Sequence, residues 1–272
     1  MVNEHDFAYI RKLVYDNSAI VLETGKEYLV DSRINPLAKA KGFASLSEFV
    51  KKLQQTPYGP LHYDVIEAMT TNETSFFRDA HPFEAMKTTV LPEMAEKLAL
   101  KKRLNIWSAA CSSGQEPYSL AMLANEFFNS QPSWKVSITA SDISEEMLSY
   151  TKKGHYTQLE INRGLPVTMM VKYFENHGSV WKAKDNIRNM LDFRKLNLSA
   201  PWPMMPKMDI IFLRNVLIYF DQETKRGILN KVRNQLHPDG YLFLGSAETT
   251  FNLDDSFERK LIGRAVCYQL RK

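Results

Sequence analysis

Cysteine is scarce: Cys111 and Cys267 are the chain's two. They cannot form a metal cluster by themselves and need not pair, so a reduced, cytoplasmic setting is expected. The six histidines, His5, His62, His81, His155, His177 and His237, are scattered without ligand spacing, and no metal site is expected. No segment approaches the roughly 18 unbroken apolar residues of a membrane helix. The opening MVNEHDFAYIRK is polar and acidic where a secretory leader would be basic and then apolar, so no direct membrane insertion is expected. The G-x-S-x-G elbow, the G-x-x-x-x-G-K-[ST] phosphate loop and the H-E-x-x-H pair are all missing. A dinucleotide site would want G-x-G-x-x-G, and the loop best placed for a ligand holds a single glycine, Gly114.

What remains is an ordinary globular composition, 44% apolar and 24% charged over 272 residues, enough for one large or two modest domains. The first 70 residues carry helical spacing and no strand pattern. Phe7, Ile10, Leu13 and Val14 fall on one face. Residues 27–40 read as a second helix, with Pro36 predicting a kink or a division. Ser45 or Ser47 could cap a third helix, Pro57, Gly59 and Pro60 form a loop, and 64–70 reads as a short fourth helix. Residues 1–80 hold nine Lys/Arg against eleven Asp/Glu, yet Arg33, Lys39, Lys41, Lys51 and Lys52 cluster between residues 32 and 55. That basic face suits an acidic protein partner, and a pair of solvated helix faces accounts for it equally well.

The rest alternates strand and helix. A helix is expected over 82–100, and the organising stretch follows. It reads LNIWSAACSSGQEPYSLA over 104–121: an apolar strand, six small residues from Ala109 to Gly114, and a helix with Pro117 in its first turn. Strand, tight turn and helix start make the ligand corner of a doubly wound α/β domain, or an ordinary βα connection. A second strand over 136–141 ends in Asp142, placed to bond ribose hydroxyls; a cap from Asp142 or Ser144 on the helix over 145–152 is the competing account, and both can hold at once. Residues 172–198 break the rhythm with alternating runs and turn signals, as a small antiparallel ribbon or a ribbon merging into a sheet strand. A buried strand over 208–213, a helix over 222–236, a Pro238-Asp239-Gly240 turn into a strand over 241–244, and a last strand over 265–270 complete the pattern. Small residues plus Asp142 suit a nucleoside without a pyrophosphate, such as S-adenosylmethionine, and Glu116 would welcome its amino group or sulfonium.

Six motifs, TTNETSFFRD (70–79), WSAACSSGQEPYSLAM (107–122), ASDIS (140–144), KLNL (195–198), FLRNVLIYF (212–220) and HPDGYLFLGSAE (237–248), occur in the order found in one family. Over nearly its whole length the chain resembles the CheR family, bacterial glutamate O-methyltransferases of chemotaxis receptors that use S-adenosylmethionine and release S-adenosylhomocysteine. The resemblance implies an all-helical N-terminal receptor-docking domain with its linker (1–80). It also implies a Rossmann-like class I methyltransferase domain (81–272) with a small antiparallel β-subdomain inserted at about 172–196.

The same resemblance implies cofactor contacts from Asn72, Thr74 and Arg78 in the linker, and from Glu116 and Asp142, the latter on the ribose. Asn197 and Leu198 would flank the adenine, Arg214 and Asn215 would line the pocket, and Arg78 and Tyr219 would position the acceptor glutamate. Arg33, Lys39, Lys41, Lys51 and Lys52 would dock acidic receptor helices. The short turn between Phe174 and Trp181 resembles family members that act without a receptor's C-terminal pentapeptide. Cys111 is expected as a small wall residue of the pocket. Two rival readings have sequence consequences. Nucleic-acid amino-methylating enzymes present an Asn/Asp-Pro-Pro-aromatic tetrad where this chain has Arg214-Asn215-Val216-Leu217, so no nucleic-acid substrate is expected. A non-catalytic cofactor-binding module would not need both Arg78 and Tyr219.

Overall fold

The computed structural model describes residues 2–271, so the outermost residues of the two expected domains, Met1 and Lys272, lie outside the described residues. Four helices come first: α1 (Glu4–Ser18), α2 (Glu27–Ala40), α3 (Leu46–Gln55) and α4 (Pro60–Met69). Their apolar faces meet in one core that includes Phe7, Ile10, Ile34, Phe49, Leu53 and Val65. Ser45 caps α3 by accepting from the Glu48 N–H at 3.1 Å, whereas Ser47 turns its hydroxyl to the Asp6 carboxylate. Helix α4 starts four residues before the expected position, because Pro60 occupies its first turn, where a missing N–H costs nothing. Helix α2 remains one helical segment through Pro36.

The helix expected over 82–100 is three pieces: α5 (His81–Ala85), a π turn (Met86–Val90) and α6 (Leu91–Lys97). Pro92, with no N–H to offer one turn back, sits at the start of the third piece. In chain order there follow β1 (Arg103–Ala109), α7 (Gln115–Phe128), β2 (Lys135–Asp142), α8 (Glu145–Lys153), β3 (His155–Thr157), α9 (Gln158–Asn162), α10 (Val167–Tyr173), β4 (Phe174–His177) and β5 (Val180–Ala183). Then come α11 (Asp185–Arg188), β6 (Leu191–Lys195), β7 (Met208–Leu213), α12 (Gln222–Gln235), β8 (Leu236–Leu244), β9 (Phe257–Ile262) and β10 (Ala265–Leu270).

Seven strands form the central sheet in the order β6-β2-β1-β7-β8-β10-β9, parallel from β6 to β8 and closed by the antiparallel β10–β9 hairpin. Alternation along the parallel strands divides the core. Ile106, Phe212 and Phe243 face one helical layer, while Trp107, Ile211 and Leu213 face the other. Trp107 and Phe212 keep no exposed surface, and burying a side chain of this kind contributes roughly 1.5–3 kcal/mol. Strand order reverses between β1 and β7, which makes the carboxyl ends of β1, β2 and β7 the place for a ligand.

Three expectations change. The small antiparallel sheet is β3-β5-β4, so it begins at His155, upstream of the expected 172–196 insertion, and β6, inside that range, is a parallel edge strand of the central sheet. Strand β3 has three residues, too few to show alternation, although its Tyr156 is fully buried against Phe76. Strand β6 reads like a ribbon because its sequence alternates apolar and polar over Leu191-Asp192-Phe193-Arg194, and as an edge strand it leaves Asp192 and Lys195 exposed. Strand β8 starts at Leu236 and absorbs the expected Pro238-Asp239-Gly240 turn as a register irregularity opposite Met208–Ile210. Strand β9, FERKLI, carries edge charges that masked it.

Candidate active site

The corner after β1 is tight because its backbone turns left-handed three times, at Ala110 (φ 56°), Ser112 (φ 50°) and Gly114 (φ 93°). Two of these positions lack glycine, which favours neither residue, and the loop holds them by hydrogen bonds. Cys111 donates its N–H to the Ser141 carbonyl at 2.9 Å, the Thr151 hydroxyl donates to the Ser112 carbonyl at 3.0 Å, and the Tyr156 hydroxyl to the Ser113 carbonyl at 2.8 Å. Gly114 has a second constraint. A Cβ there would lie 2.4 Å from Thr151 Cγ2 and 2.8 Å from the Tyr156 hydroxyl.

Asp142 ends β2 directly beneath this loop. Its Oδ2 accepts from the Ser112 N–H at 2.8 Å and its Oδ1 from the Ser144 N–H at 2.9 Å. Burial pushes the Asp142 carboxyl up, against the lowering effect of those two N–H donors. Ser144 caps α8 by accepting from the Met147 N–H at 3.0 Å, so the capping role falls to Ser144 while Asp142 faces the cavity. Cys111 is buried; desolvation, then the nearby Asp142 and Glu116, push its thiol well up, which makes it a wall residue and a poor nucleophile.

Glu116, in the first turn of α7, accepts from the Ser108 hydroxyl through Oε1 (2.8 Å) and from Arg214 Nη1 through Oε2 (2.9 Å). The Arg214 side chain is 1% exposed. Its Nη2 donates to Asp79 Oδ2 at 2.7 Å and to the Arg78 carbonyl at 2.9 Å, while its buried Nε has no hydrogen-bond partner among the described residues. The guanidinium thus bridges Glu116 to the linker. That linker is left-handed at Phe77 (φ 50°) and Asp79 (φ 65°), a conformation that costs about 1–3 kcal/mol per residue outside glycine and has to be held by its surroundings. Phe77 donates to the Ser119 hydroxyl at 3.0 Å and Phe76 to the Arg163 carbonyl at 3.2 Å, so the segment is clamped just before Arg78, while the Arg214 bonds hold the Arg78 carbonyl and Asp79 after it. Arg78 itself spends Nη1 on the Glu73 carbonyl at 2.9 Å.

These groups surround one cavity of about 880 Å³, a volume that takes in the open solvent at its mouth. All ten residues expected on the cofactor or the acceptor line it: Asn72, Thr74, Arg78, Glu116, Asp142, Asn197, Leu198, Arg214, Asn215 and Tyr219. Sequence reasoning missed Ser18 and Ile20, which bring the helical unit to the same cavity. Ser18 is the last residue of α1 and Ile20 lies just past it, and neither carries a periodic signal. The connection is direct: Asn197 Nδ2 donates to the Asn17 carbonyl at 2.7 Å, the Val21 N–H to the Tyr219 carbonyl at 2.9 Å, and the Tyr15 hydroxyl to Asp221 at 2.7 Å. The Ser144 hydroxyl also donates to Glu67 of α4.

The basic cluster divides. Arg33 points inward and donates to the Met69 and Thr70 carbonyls at 2.9 Å each and to the Thr71 hydroxyl at 3.1 Å, which ties α2 to the start of the linker. Lys41 pairs with Asp64, and Lys39, Lys51 and Lys52 are exposed.

Residues 72–264 match the family described as CheR methyltransferase, SAM binding domain, and residues 5–70 match CheR methyltransferase, all-alpha domain. The chain belongs to the CheR methyltransferase family. It is 44% identical over 270 residues to chemotaxis protein methyltransferase 1 of Pseudomonas aeruginosa, covering 98% of each chain. It is 42% identical over 270 residues to chemotaxis protein methyltransferase Cher2 of Pseudomonas putida, again covering 98% of each. With the chemotaxis protein methyltransferase of Escherichia coli it shares 34% identity over 277 residues, 100% of this chain and 92% of the other. The fold is accordingly an all-helical CheR domain followed by a Rossmann-like methyltransferase domain, and the activity is that of an S-adenosylmethionine-dependent chemotaxis methyltransferase. Among the described residues no helix is long and apolar enough to cross a membrane.

The cavity suits that cofactor on its own chemistry. It combines a buried carboxylate at the end of β2, a second carboxylate at the start of α7, a guanidinium with a spare buried N–H, and the apolar Ile20, Leu196 and Leu198. No histidine is among its described lining residues.

Proposed function

We propose that this CheR methyltransferase esterifies glutamate side chains on the cytoplasmic helices of chemotaxis receptors, with Arg78 and Tyr219 presenting the acceptor. The observation that carries this reading is the pair itself: both line the cavity that holds the candidate cofactor carboxylates Glu116 and Asp142. Asp142 would bond the ribose hydroxyls, Glu116 would face the amino group, and Ile20, Leu196 and Leu198 would enclose the adenine. The Asn197 amide donates to Asn17 and accepts from Ser199, so its contribution beside the adenine is mainly to hold that wall. Bound, S-adenosylmethionine supplies a methyl group on a sulfonium, and a glutamate oxygen takes it as the C–S bond breaks to leave neutral S-adenosylhomocysteine, so no proton has to move.

A glutamate of ordinary pKa, about 4.3, is already ionised near neutral pH. The chain's residues therefore have to align the carboxylate and exclude water, and no base is called for. Among the described residues Arg78 spends Nη1 on the Glu73 carbonyl, and the rest of its fork can orient the acceptor carboxylate. The Tyr219 hydroxyl can fix one acceptor oxygen while leaving the other to react. Lys39, Lys51 and Lys52 form the docking face for acidic receptor helices on the helical domain, at residues 1–80, with Arg33 serving instead to anchor the linker. The β4–β5 hairpin turns through Asn176-His177-Gly178-Ser179 with the Gly178 N–H donating to Asn176 Oδ1 at 2.9 Å, and this compact turn supports action without a pentapeptide tether.

The test is transfer of a radiolabelled methyl group to receptor cytoplasmic fragments and to Glu-to-Gln controls. Base-labile label on the glutamate fragments and none on the controls is expected; label on the controls, or none on either, would overturn the reading. Calorimetric titration with a receptor C-terminal pentapeptide is expected to give no heat of binding, and tight binding would refute tether independence.

A further inference from the structure

Glu248 stands outside the cavity lining, yet its carboxylate accepts five backbone N–H groups. Oε2 takes Asn215 at 2.8 Å and Gly245 at 2.6 Å, and Oε1 takes Val216 at 2.8 Å, Leu217 at 2.7 Å and Ile218 at 3.4 Å. Four of the five belong to the loop that leaves β7 and carries Tyr219. That loop is left-handed at Asn215 (φ 58°) and then winds into the single 3₁₀ turn Leu217–Tyr219. The opening N–H groups of such a turn have no partner of their own. A carboxylate is acceptor-only with about four lone-pair sites, so it can serve several donors at once.

The fit is close. A Cβ on Gly245 would stand 2.7 Å from both Asn215 Nδ2 and Glu248 Oε2, so the turn after β8 needs glycine to bring the carboxylate in. Downstream, the Tyr219 N–H donates to the Val216 carbonyl at 3.2 Å, and the Tyr219 carbonyl accepts from Val21 at 2.9 Å. The tyrosine therefore hangs between two supports: the Glu248 carboxylate on its N-terminal side and the segment after α1 on its own carbonyl. We infer that Glu248 is a positioning residue, which fixes the 215–218 backbone and thereby aims the Tyr219 hydroxyl at the acceptor. The functional part of this inference rests on the reading of Tyr219 given above; the structural part does not.

A glutamine at this position would turn an NH₂ group against backbone donors, whereas aspartate keeps the charge on a shorter arm. The test uses the full-length chain as wild type, Glu248→Gln, Glu248→Asp, Tyr219→Phe and the Glu248→Gln/Tyr219→Phe double variant. Amide exchange of residues 215–218, with S-adenosylhomocysteine bound, is expected to accelerate in Glu248→Gln. In the receptor-fragment assay kcat is expected to fall about 30-fold, the factor corresponding to about 2 kcal/mol, with Glu248→Asp recovering part of it. Calorimetric affinity for S-adenosylhomocysteine is expected to stay within about threefold, since one loop contact then weakens while the Asp142 wall is intact. If Glu248 acts through Tyr219, the double variant is no slower than Tyr219→Phe alone. Losses that multiply, or exchange that does not change, would overturn the inference. Should Glu248→Gln lose its fold, the same cycle and exchange measurement on Glu248→Asp decide it. Absence of methyl transfer by the wild type would refute the function and leave the exchange result to judge the support.

Discussion

One wall of the cavity comes from a single run of chain, the loop after β1, the start of α7 and the Asp142–Ser144 turn, whereas the opposite wall draws on Ser18 and Ile20, the 72–79 linker and the 214–220 loop. The first wall is held mostly by neighbours in the same βαβ unit: Ser112 on Asp142, Cys111 on Ser141, Thr151 on Ser112. The second is held by ions reaching across the chain. Arg214 joins Glu116 to Asp79, and Glu248 gathers the N–H groups of 215–218. On the proposed reading the local wall holds the cofactor through Asp142 and Glu116, while the long-range wall adds Ile20, Asn72 and Thr74 to the cofactor site and carries Arg78 and Tyr219 for the acceptor.

Substitutions can break this division. Arg78→Ala, on the long-range wall, is expected to slow methyl transfer by about 100-fold or more, the scale of losing one pre-organised donor at a reaction centre. S-adenosylhomocysteine affinity is expected to fall far less, and near-normal turnover would remove Arg78 from the acceptor site. Asp142→Ala, on the local wall, is expected to show the reverse, weakening S-adenosylhomocysteine by about 10- to 100-fold through loss of a charge-assisted bond. Calorimetry reads it directly.

Acidity sharpens the same contrast. Burial raises the Asp142 carboxyl, so protonation begins at higher pH than for an ordinary aspartate near 3.9. Cofactor affinity is expected to drop as pH falls through that raised value. The folded state then binds the proton more readily than the unfolded one, so wild-type stability should rise relative to Asp142→Asn over the same range. Opposite trends in titration calorimetry and thermal melts are the expected signature; parallel trends would mean another group dominates.

The smallest effects belong to the helical domain's surface. Charge reversal of Lys39, Lys51 and Lys52 to Glu is expected to raise KM for receptor fragments about three- to tenfold, and less at high salt, with cofactor affinity unchanged. Arg33→Ala is expected to behave differently, lowering the melting temperature with little change in salt dependence, because its guanidinium bonds the linker. A common response from all four would erase the distinction between docking face and anchor.

Much of the fold was legible because the signals were local. Helical spacing, the caps at Ser45 and Ser144, the apolar run of β7 and the small residues after β1 each act within a few residues. Legibility failed at edges and short pieces. Strand β3 is too short to alternate and β9 carries edge charge, while β6 matches the alternative of a ribbon merging into a sheet strand. The ten residues expected at the cavity were reached by motif resemblance, and composition alone would have left Tyr219 as a core aromatic. Nothing local marked Ser18 or Ile20, and Glu248 closed a motif without showing its role, because their partners lie in segments far along the chain or across a turn.

By itself the sequence determined the helical unit, the order of βα units, the small-residue corner with Asp142, and a family with a defined cofactor, because periodicity, capping and motif chemistry are properties of neighbouring residues. Tertiary structure alone decided that the end of α1 and the residues just past it complete the cavity, that Arg33 bonds the start of the linker, and that Arg214 and Glu248 spend their charges holding Arg78 and the Tyr219 loop. Such bonds depend on which distant backbone groups are left unpaired once the chain has folded, and a buried ion goes where those groups converge.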